Sequence, residues 1–325
     1  MKEHDIRPQE FFDELLRLNK LDVETFFRDV SVKKINCPVC GTKGTYSFTK
    51  NDFSFDECEK CKSLYVSPRP DKKYFDEYYK ESLSAKYWAS TFYKETEENR
   101  REMLWKPKAK IIKDKLDCFA TNTEVIINIG GGYGTFEEEF SKVSNLKNIV
   151  IEPSEYFSKV CKEKGLKVIT KFLEDICDSD LPKINKTFVS FELFEHLHDP
   201  KIFLEILNNL MDSGDSFIFT TLSSMGVDIQ SLWEDSKSLS PPMHLNFLNP
   251  KSLEILLKNI GFNVLEISTP GKLDIDIMNN NIDKIKVKFW KNFLEYSSIQ
   301  EKNNMQKFIS ENKLSSHMMI VCQKA

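Results

Sequence analysis

The chain has 325 residues, 40% hydrophobic and 12% aromatic, which is enough for one large core and a small appendage. A formal net charge of -4 gives no electrostatic reason for a nucleic-acid partner. No apolar run approaches the roughly 18–20 residues of a membrane span, and the N-terminus MKEHDIRPQE is too polar for a secretory signal, so a cytoplasmic protein is expected. Eight cysteines could suggest disulfides, but four form a metal pattern. Cys118, Cys161, Cys177 and Cys322 are scattered beside apolar neighbours and read as small core residues, which suits a reducing compartment.

Residues 1–35 read as an arm of two short helices. Pro8 sits at a first helical position, Phe11, Leu15 and Leu18 fall on one stripe, and a break is expected near Leu21-Asp22 before Phe26 and Phe27. Such an arm packs on the body or on a second subunit, which leaves a homodimer open. Residues 36–70 hold Cys37-Pro38-Val39-Cys40 and Cys58-Glu59-Lys60-Cys61, with seventeen residues between them. Two such knuckles bring four thiolates to tetrahedral corners, the arrangement of a zinc ribbon. Four sulfur ligands leave no open coordination position, so the Zn2+ is expected to be structural. Ser47 to Phe55 would supply the intervening strands.

Residues 71–118 read as a helical bridge. Tyr74, Phe75, Tyr78 and Tyr79 make an aromatic stripe, mostly core, with Tyr78 and Tyr79 as cleft candidates because a phenol offers a polar tip. Pro107 is expected to mark a break before the helix that enters the first core strand.

From residue 119 to 325 the pattern is that of an α/β domain. An apolar run, Val125 to Ile129, is followed by Gly130-Gly131-Gly132-Tyr133-Gly134, by Phe136, Phe140 and Val143 at helical spacing, and by a second apolar run ending in Glu152. This is one βαβ unit whose glycine turn lets a ligand approach the backbone at a helix N-terminus. A dinucleotide site wants G-x-G-x-x-G, but the third glycine of that pattern would fall at Thr135. The glycines stand at 130, 132 and 134, and Glu152 follows at the distance where an acid accepts hydrogen bonds from ribose hydroxyls.

Together these stretches resemble motifs I and II of the class I S-adenosylmethionine (SAM) methyltransferases. The resemblance implies that Gly130, Gly132, Gly134 and Glu152 hold the cofactor. It gives Asp175, after the third strand, a hydrogen bond from the adenine amino group. The family usually has Asp or Glu where this chain has Asn128, to hold the methionine amino group; an amide keeps one acceptor and loses the charge, which weakens that hold.

Thr187 to Phe191 reads as a central strand, and the Ser-rich stretch from Leu222 to Pro242 as a long lid or binding loop around Trp233. FELFEHLHDP, from Phe191 to Pro200, is similar to the E-x-L-E-H-x-x-D-P region of small-molecule methyltransferases, with one extra residue between the Leu and the second Glu. HLNFLNPKSLEILLKNIGF, from His244, resembles the same branch. A helical insertion is expected at about 278–313, between the last two strands, with Lys284, Lys286, Lys288 and Lys291 on a solvated face.

The expected fold is therefore α/β: a Rossmann-like seven-stranded SAM methyltransferase core with an N-terminal zinc ribbon and helical bridge. By this resemblance SAM supplies an electrophilic methyl group, so no catalytic metal or covalent nucleophile is required, and a hydroxyl acceptor needs a base. The pocket implied at the ends of the fourth and fifth strands offers His244 and His196 as bases, Glu195 to orient them, and Glu192 toward the cofactor; His198 is expected to be exposed. A ribbon before such a core resembles sugar methyltransferases of surface polysaccharides or deoxysugars. The expected acceptor is a hydroxyl of a nucleotide-linked or polymer-linked sugar. Sugar C-methylation, RNA base methylation and a non-catalytic SAM-binding role are the alternatives, the second opposed by the acidic balance and the third raised by Asn128.

Overall fold

The computed structural model describes residues 1–325. Helices α1 (Glu3–Ile6) and α2 (Gln9–Phe26) form the arm. The break expected near Leu21-Asp22 does not occur. Asp22 is buried inside α2, and its carboxylate accepts the backbone N–H groups of Leu83 and Ser84, so the acid that reads as a helix stop caps a neighbouring helix instead.

Strands β1 (Val32–Lys33), β2 (Gly44–Lys50), β3 (Phe53–Cys58), β4 (Leu64–Val66) and β5 (Arg69–Pro70) follow. The middle three make an antiparallel meander, and β1 pairs with β5 across its base. Helices α3 (Lys72–Glu81), α4 (Leu83–Tyr87), α5 (Tyr93–Arg100) and α6 (Lys106–Phe119) lead to the core. The expected break at Pro107 is absent: a π-turn over Arg101–Trp105 joins α5 to α6, and the proline falls in the first turn of α6, where its missing N–H is tolerated.

The core then alternates: β6 (Val125–Ile129), α7 (Thr135–Phe140), β7 (Lys147–Ile151), α8 (Glu155–Glu163), β8 (Lys167–Ile169), β9 (Lys186–Phe191), α9 (Pro200–Leu210) and β10 (Ser216–Leu222). After these come α10 (Val227–Leu232), β11 (Asn246–Phe247), α11 (Pro250–Ile260), β12 (Phe262–Ser268), α12 (Asp274–Asn280), α13 (Lys288–Tyr296), α14 (Ile299–Glu311) and β13 (His317–Lys324).

Seven strands form one sheet in the order β12-β13-β10-β9-β6-β7-β8. Its strands run parallel except β13, which is antiparallel to both neighbours. Both faces are covered, which is why its central strands read as unbroken apolar runs: Ile127 and Ile129 pack into one core, Ile126 into the other with Ile112 and Phe136. The chain moves outward from β6 through β7 to β8 and then returns to β9 on the opposite side of β6. That reversal opens a crevice at the carboxyl ends of β6 and β9, where sheets of this kind bind ligands.

The stretch expected to be a long lid or binding loop, Leu222 to Pro242, is largely built into the body. It contains α10, and Ile229, Leu232 and Leu239 are buried in two apolar clusters. Its Ser-rich composition hides that pattern. Helices α12 to α14 close against α10 in a small core of Leu232, Met278, Ile285, Leu294 and Ile309, so the inserted region begins at Asp274. β11 pairs antiparallel with β4 and becomes the fourth strand of the cysteine-bearing sheet, in the order β11-β4-β3-β2. Of the four cysteines read as core, Cys161 and Cys322 are buried; Cys118, near the end of α6, and Cys177, in a turn, are exposed. No helix is long and apolar enough to cross a membrane.

Candidate functional site

The turn after β6 is left-handed at Gly130, Gly132 and Gly134. At Gly134, with φ of +70°, any other residue is strained, and its Cβ would come within 2.5 Å of the end of the Leu166 side chain and displace it. At Gly132, with φ of +54°, a Cβ would meet nothing within 4 Å, so the backbone presents an open cradle on that side. Glu152, at the end of β7, is 6% exposed. It accepts the N–H groups of Gly132 and Ser154, each at 2.9 Å, and so fixes the turn. Burial raises its pKa while those two bonds oppose the rise.

Asn128 is buried beneath the turn, where its Nδ2 donates to Glu137 Oε1 of α7 at 2.6 Å. Asn128 Oδ1 and Glu137 Oε2 have no partner. Burial pushes the Glu137 carboxyl up to about 7, against the pull of the Asn128 bond. Glu137 has little signal in the sequence, only an acid beside the buried Phe136 on a short helix. The cradle at Gly132, the carboxylate of Glu152 and the unpartnered Asn128 oxygen fit a polar, nucleoside-bearing ligand. Asp175 is exposed at the end of the short turn Leu173–Asp175, downstream of β8 and on the same edge of the sheet.

On the other side of the crevice, the loop after β9 starts at Glu192, itself left-handed at φ +52°. Its carboxylate accepts from the Thr220 hydroxyl at 2.6 Å and lies 3.2 Å from His317 Nδ1 and 3.7 Å from Lys108 Nζ. Burial works against its charge, yet His317, Lys108 and Thr220 hold the carboxyl well below the usual range. Glu192 thus belongs to the β10 and β13 flank, away from Glu152. Lys108 and His317 were not foreseen, because only the sheet order brings α6 and β13 to this point.

Glu195, His196 and His244 converge, each offering one ligand atom, with those atoms all within 4.8 Å of one another. Glu195 is 1% exposed and accepts from the Thr221 hydroxyl at 2.8 Å. Burial, with the charge of Glu192, pushes it up to about 8. The imidazoles lie 4.6 Å apart at 79°. Burial and the neighbouring His244 push His196 down to about 3, and burial pushes His244 down to about 4, so both rings are neutral at pH 7. His244 Nδ1 lies 2.7 Å from the Ser238 carbonyl, which fixes that nitrogen as the donor. A backbone bond from Leu245 N–H to Glu195 O, 2.8 Å, joins the two loops.

The aromatic stripe of α3 divides. Tyr78 is core, its hydroxyl bonded to Asn19 and Ser84. Tyr79 lies in the cleft, 41% exposed, donating to Met243 O at 3.1 Å and standing 3.4 Å from His196 Nδ1. His198, expected to be exposed, is half-buried against Phe75 with Nε2 2.9 Å from Pro70 O, because the segment after the motif folds back on the bridge. Arg69, also unforeseen, is 3% exposed; it donates to the carbonyls of Val66, Leu245 and His198 and to Asn246 Oδ1. It binds the base of the cysteine-bearing sheet to both loops of the cluster.

Cys37, Cys40, Cys58 and Cys61 converge as well, with Sγ–Sγ separations of 3.4 Å (Cys37 to Cys61), 3.5 Å (Cys40 to Cys58) and 3.8 Å (Cys40 to Cys61). A tetrahedral ion with bonds of about 2.3 Å requires edges of about 3.8 Å, so the set fits. The N–H groups of Val39 and Cys40 point at Cys37 Sγ, and those of Lys60 and Cys61 at Cys58 Sγ, which favours thiolates.

The profile of the methyltransferase domain family matches residues 97–267, more than half of the chain. No curated protein matches it. Among solved structures, the plantazolicin methyltransferase BamL, in complex with a triazolic desmethylPZN analog and SAH, is similar at 12% identity and a TM-score of 0.50, covering 77% of this chain and 93% of that one. The plantazolicin methyltransferase BpumL, with a monoazolic analog and SAH, matches at 14% identity, the same coverage and a TM-score of 0.50. Magnesium protoporphyrin IX methyltransferase (ChlM) from Synechocystis PCC 6803 is 10% identical over 78% of this chain and 100% of that one, with a TM-score of 0.48. At such identities the likeness is one of fold. With the family profile spanning the glycine turn, Glu152 and the Glu195–His196 loop, the chain belongs to the methyltransferase domain family and is a SAM-dependent methyltransferase.

Proposed function

We propose that the protein transfers a methyl group from SAM to a hydroxyl of a nucleotide-linked or polymer-linked sugar in the cytoplasm. The observation that carries this reading is the pairing, across one crevice, of a glycine cradle clamped by Glu152 with a polar cluster of Glu195, His196, His244 and Tyr79. Gly130, Gly132, Gly134 and Glu152 would hold the cofactor, with Asp175 toward its base and Asn128 and Glu192 toward its amino-acid end. When bound, SAM supplies a methyl carbon made electrophilic by the sulfonium.

The chain's own residues then have to orient the acceptor oxygen and receive its proton. His244 has Nδ1 committed to Ser238 O, which turns Nε2 to the cluster, and His196 lies against it. Both rings are neutral at pH 7 and can accept, and the Glu195 carboxyl, pushed up to about 8, stands beside them to orient them. Tyr79 offers a phenol that can hydrogen-bond a second acceptor hydroxyl. The same reading gives Cys37, Cys40, Cys58 and Cys61 a structural zinc ion. A net charge of -4 favours a small, polar acceptor over RNA.

Calorimetric titration with SAM and S-adenosylhomocysteine tests the cofactor half, with one-to-one binding expected. Formation of S-adenosylhomocysteine on addition of nucleotide sugars tests the acceptor half. Turnover on RNA and on no nucleotide sugar would overturn the sugar assignment.

A further inference from the structure

We propose that Glu195, His196 and His244 form a binding site for a divalent transition-metal ion at the acceptor end of the crevice, distinct from the four-cysteine cluster; it rests on the methyl-transfer reading of that crevice. Two imidazoles and one carboxylate are a donor set that such ions take, zinc first among them, while leaving open positions for a substrate oxygen. The three ligand atoms lie within 4.8 Å of one another without any ion to draw them together, close enough for side-chain adjustments to reach bonds of about 2.0–2.2 Å.

The groups behind the ligands are those a metal centre uses to aim its donors. Each ligand is held from its far side. His244 Nδ1 is 2.7 Å from Ser238 O, which leaves Nε2 as the free donor. Glu195 has one oxygen engaged by the Thr221 hydroxyl at 2.8 Å, which leaves the other for a ligand. His196 Nδ1 faces the Tyr79 hydroxyl at 3.4 Å, again freeing Nε2. The Leu245-to-Glu195 backbone bond and the Arg69 contacts lock the two contributing loops together. Such fastening exceeds what a single mobile base requires and matches a preformed chelate.

The opening lies toward Tyr79, which is the exposed member of the group. With the ion bound, His196 and His244 serve as ligands instead of bases, and an acceptor hydroxyl held on the ion would give up its proton to water in the cleft. Its oxygen lone pair would then form the new O–CH3 bond as the methyl–sulfur bond breaks, with the electron pair remaining on sulfur.

The test is a metal count on the full chain, loaded with Zn2+ and dialysed against metal-free buffer, with S-adenosylhomocysteine binding measured in parallel. Two equivalents are expected for the native chain and one for His244→Ala and for Glu195→Gln. Since a variant can misfold, Co2+ is also added to the native chain after its cysteine site has been filled with zinc. Weak visible ligand-field bands that saturate at one equivalent, without intense thiolate charge-transfer absorption, are expected. One zinc equivalent in the native chain, or cobalt absorption with thiolate character only, overturns the proposal. If S-adenosylhomocysteine still binds in that case, only the metal site is lost; if it does not bind, the methyl-transfer reading of the crevice falls as well.

Discussion

The cysteine cluster and the Glu195–His196–His244 cluster each gather their ligand atoms within 4.8 Å of one another, yet the chain builds them in opposite ways. The cysteines come from two short knuckles whose own N–H groups turn toward the sulfurs, so the geometry is written into local spacing. The second cluster depends on two distant pairings: β9 must end beside β10, and the segment after His244 must pair with β4. A locally encoded site should fail by unfolding its own segment. A site encoded by topology should fail by displacement, with the rest of the fold intact.

The largest effect that would sharpen this contrast is expected for Cys58→Ser. Metal binding in ribbons of this size is worth about 10–16 kcal/mol, so the variant should lose stoichiometric zinc and about 5 kcal/mol or more of stability, read by metal analysis and thermal denaturation. An unchanged melting curve would break the comparison. For His196→Ala and His244→Ala the loss should appear in turnover instead: a fall of roughly 10²–10⁴ in rate with under about 1 kcal/mol of change in urea unfolding. Near-normal turnover in both variants would exclude them from the chemistry.

Arg69→Met lies between the two. It takes the buried donor from the His198 carbonyl and one of two donors from the Leu245 carbonyl, which keeps the Val66 N–H, and should cost about 3 kcal/mol in stability while also lowering the rate, because Arg69 joins both regions. Glu137 gives a smaller, pH-dependent effect. Its folded pKa of about 7 lies above the ordinary 4.5, so the folded state holds more protons between these values. Stability should therefore be fully present below pH 4.5, fall as pH rises toward 7, and level off above it, by on the order of 2–3 kcal/mol in all. Glu137→Gln should flatten that slope in denaturation measured from pH 5 to 8; a slope unchanged in the variant would mean that another group titrates. Smallest of all, Cys177→Ser, in an exposed turn, should shift stability by less than about 0.5 kcal/mol.

What could be read beforehand follows the same division. The glycine turn, Glu152 and the alternating strands were legible because each is a short-range pattern: an apolar run, a bend that needs left-handed backbone, a helix start. Asp22 and Pro107 misled for a complementary reason. Each carries a local signal for a break, and each is overruled by a neighbour: the N-terminus of α4 takes the Asp22 carboxylate, and the wide turn at Arg101–Trp105 admits the proline. Lys108, His317 and Arg69 could not be read at all, since Glu192 is distant in sequence from Lys108 and His317, as Leu245 is from Arg69, and only the strand order makes them neighbours. Glu137 was hidden by being an acid on a buried face, where the pattern calls for an apolar residue.

The pairing of β11 with β4 has a consequence for anyone wishing to exchange parts among enzymes of this kind. A graft of residues 36–70 onto another methyltransferase would carry three strands of a four-stranded sheet and leave the fourth behind. The donor edge would arrive bare, and the recipient would have no matching segment to cover it. Chimeras cut at the apparent boundary should therefore express as aggregates, whereas those that also transfer the loop from Ser238 to Asn249 move a complete unit. In this protein the four-cysteine appendage and the segment that follows His244 share one sheet and move as one unit.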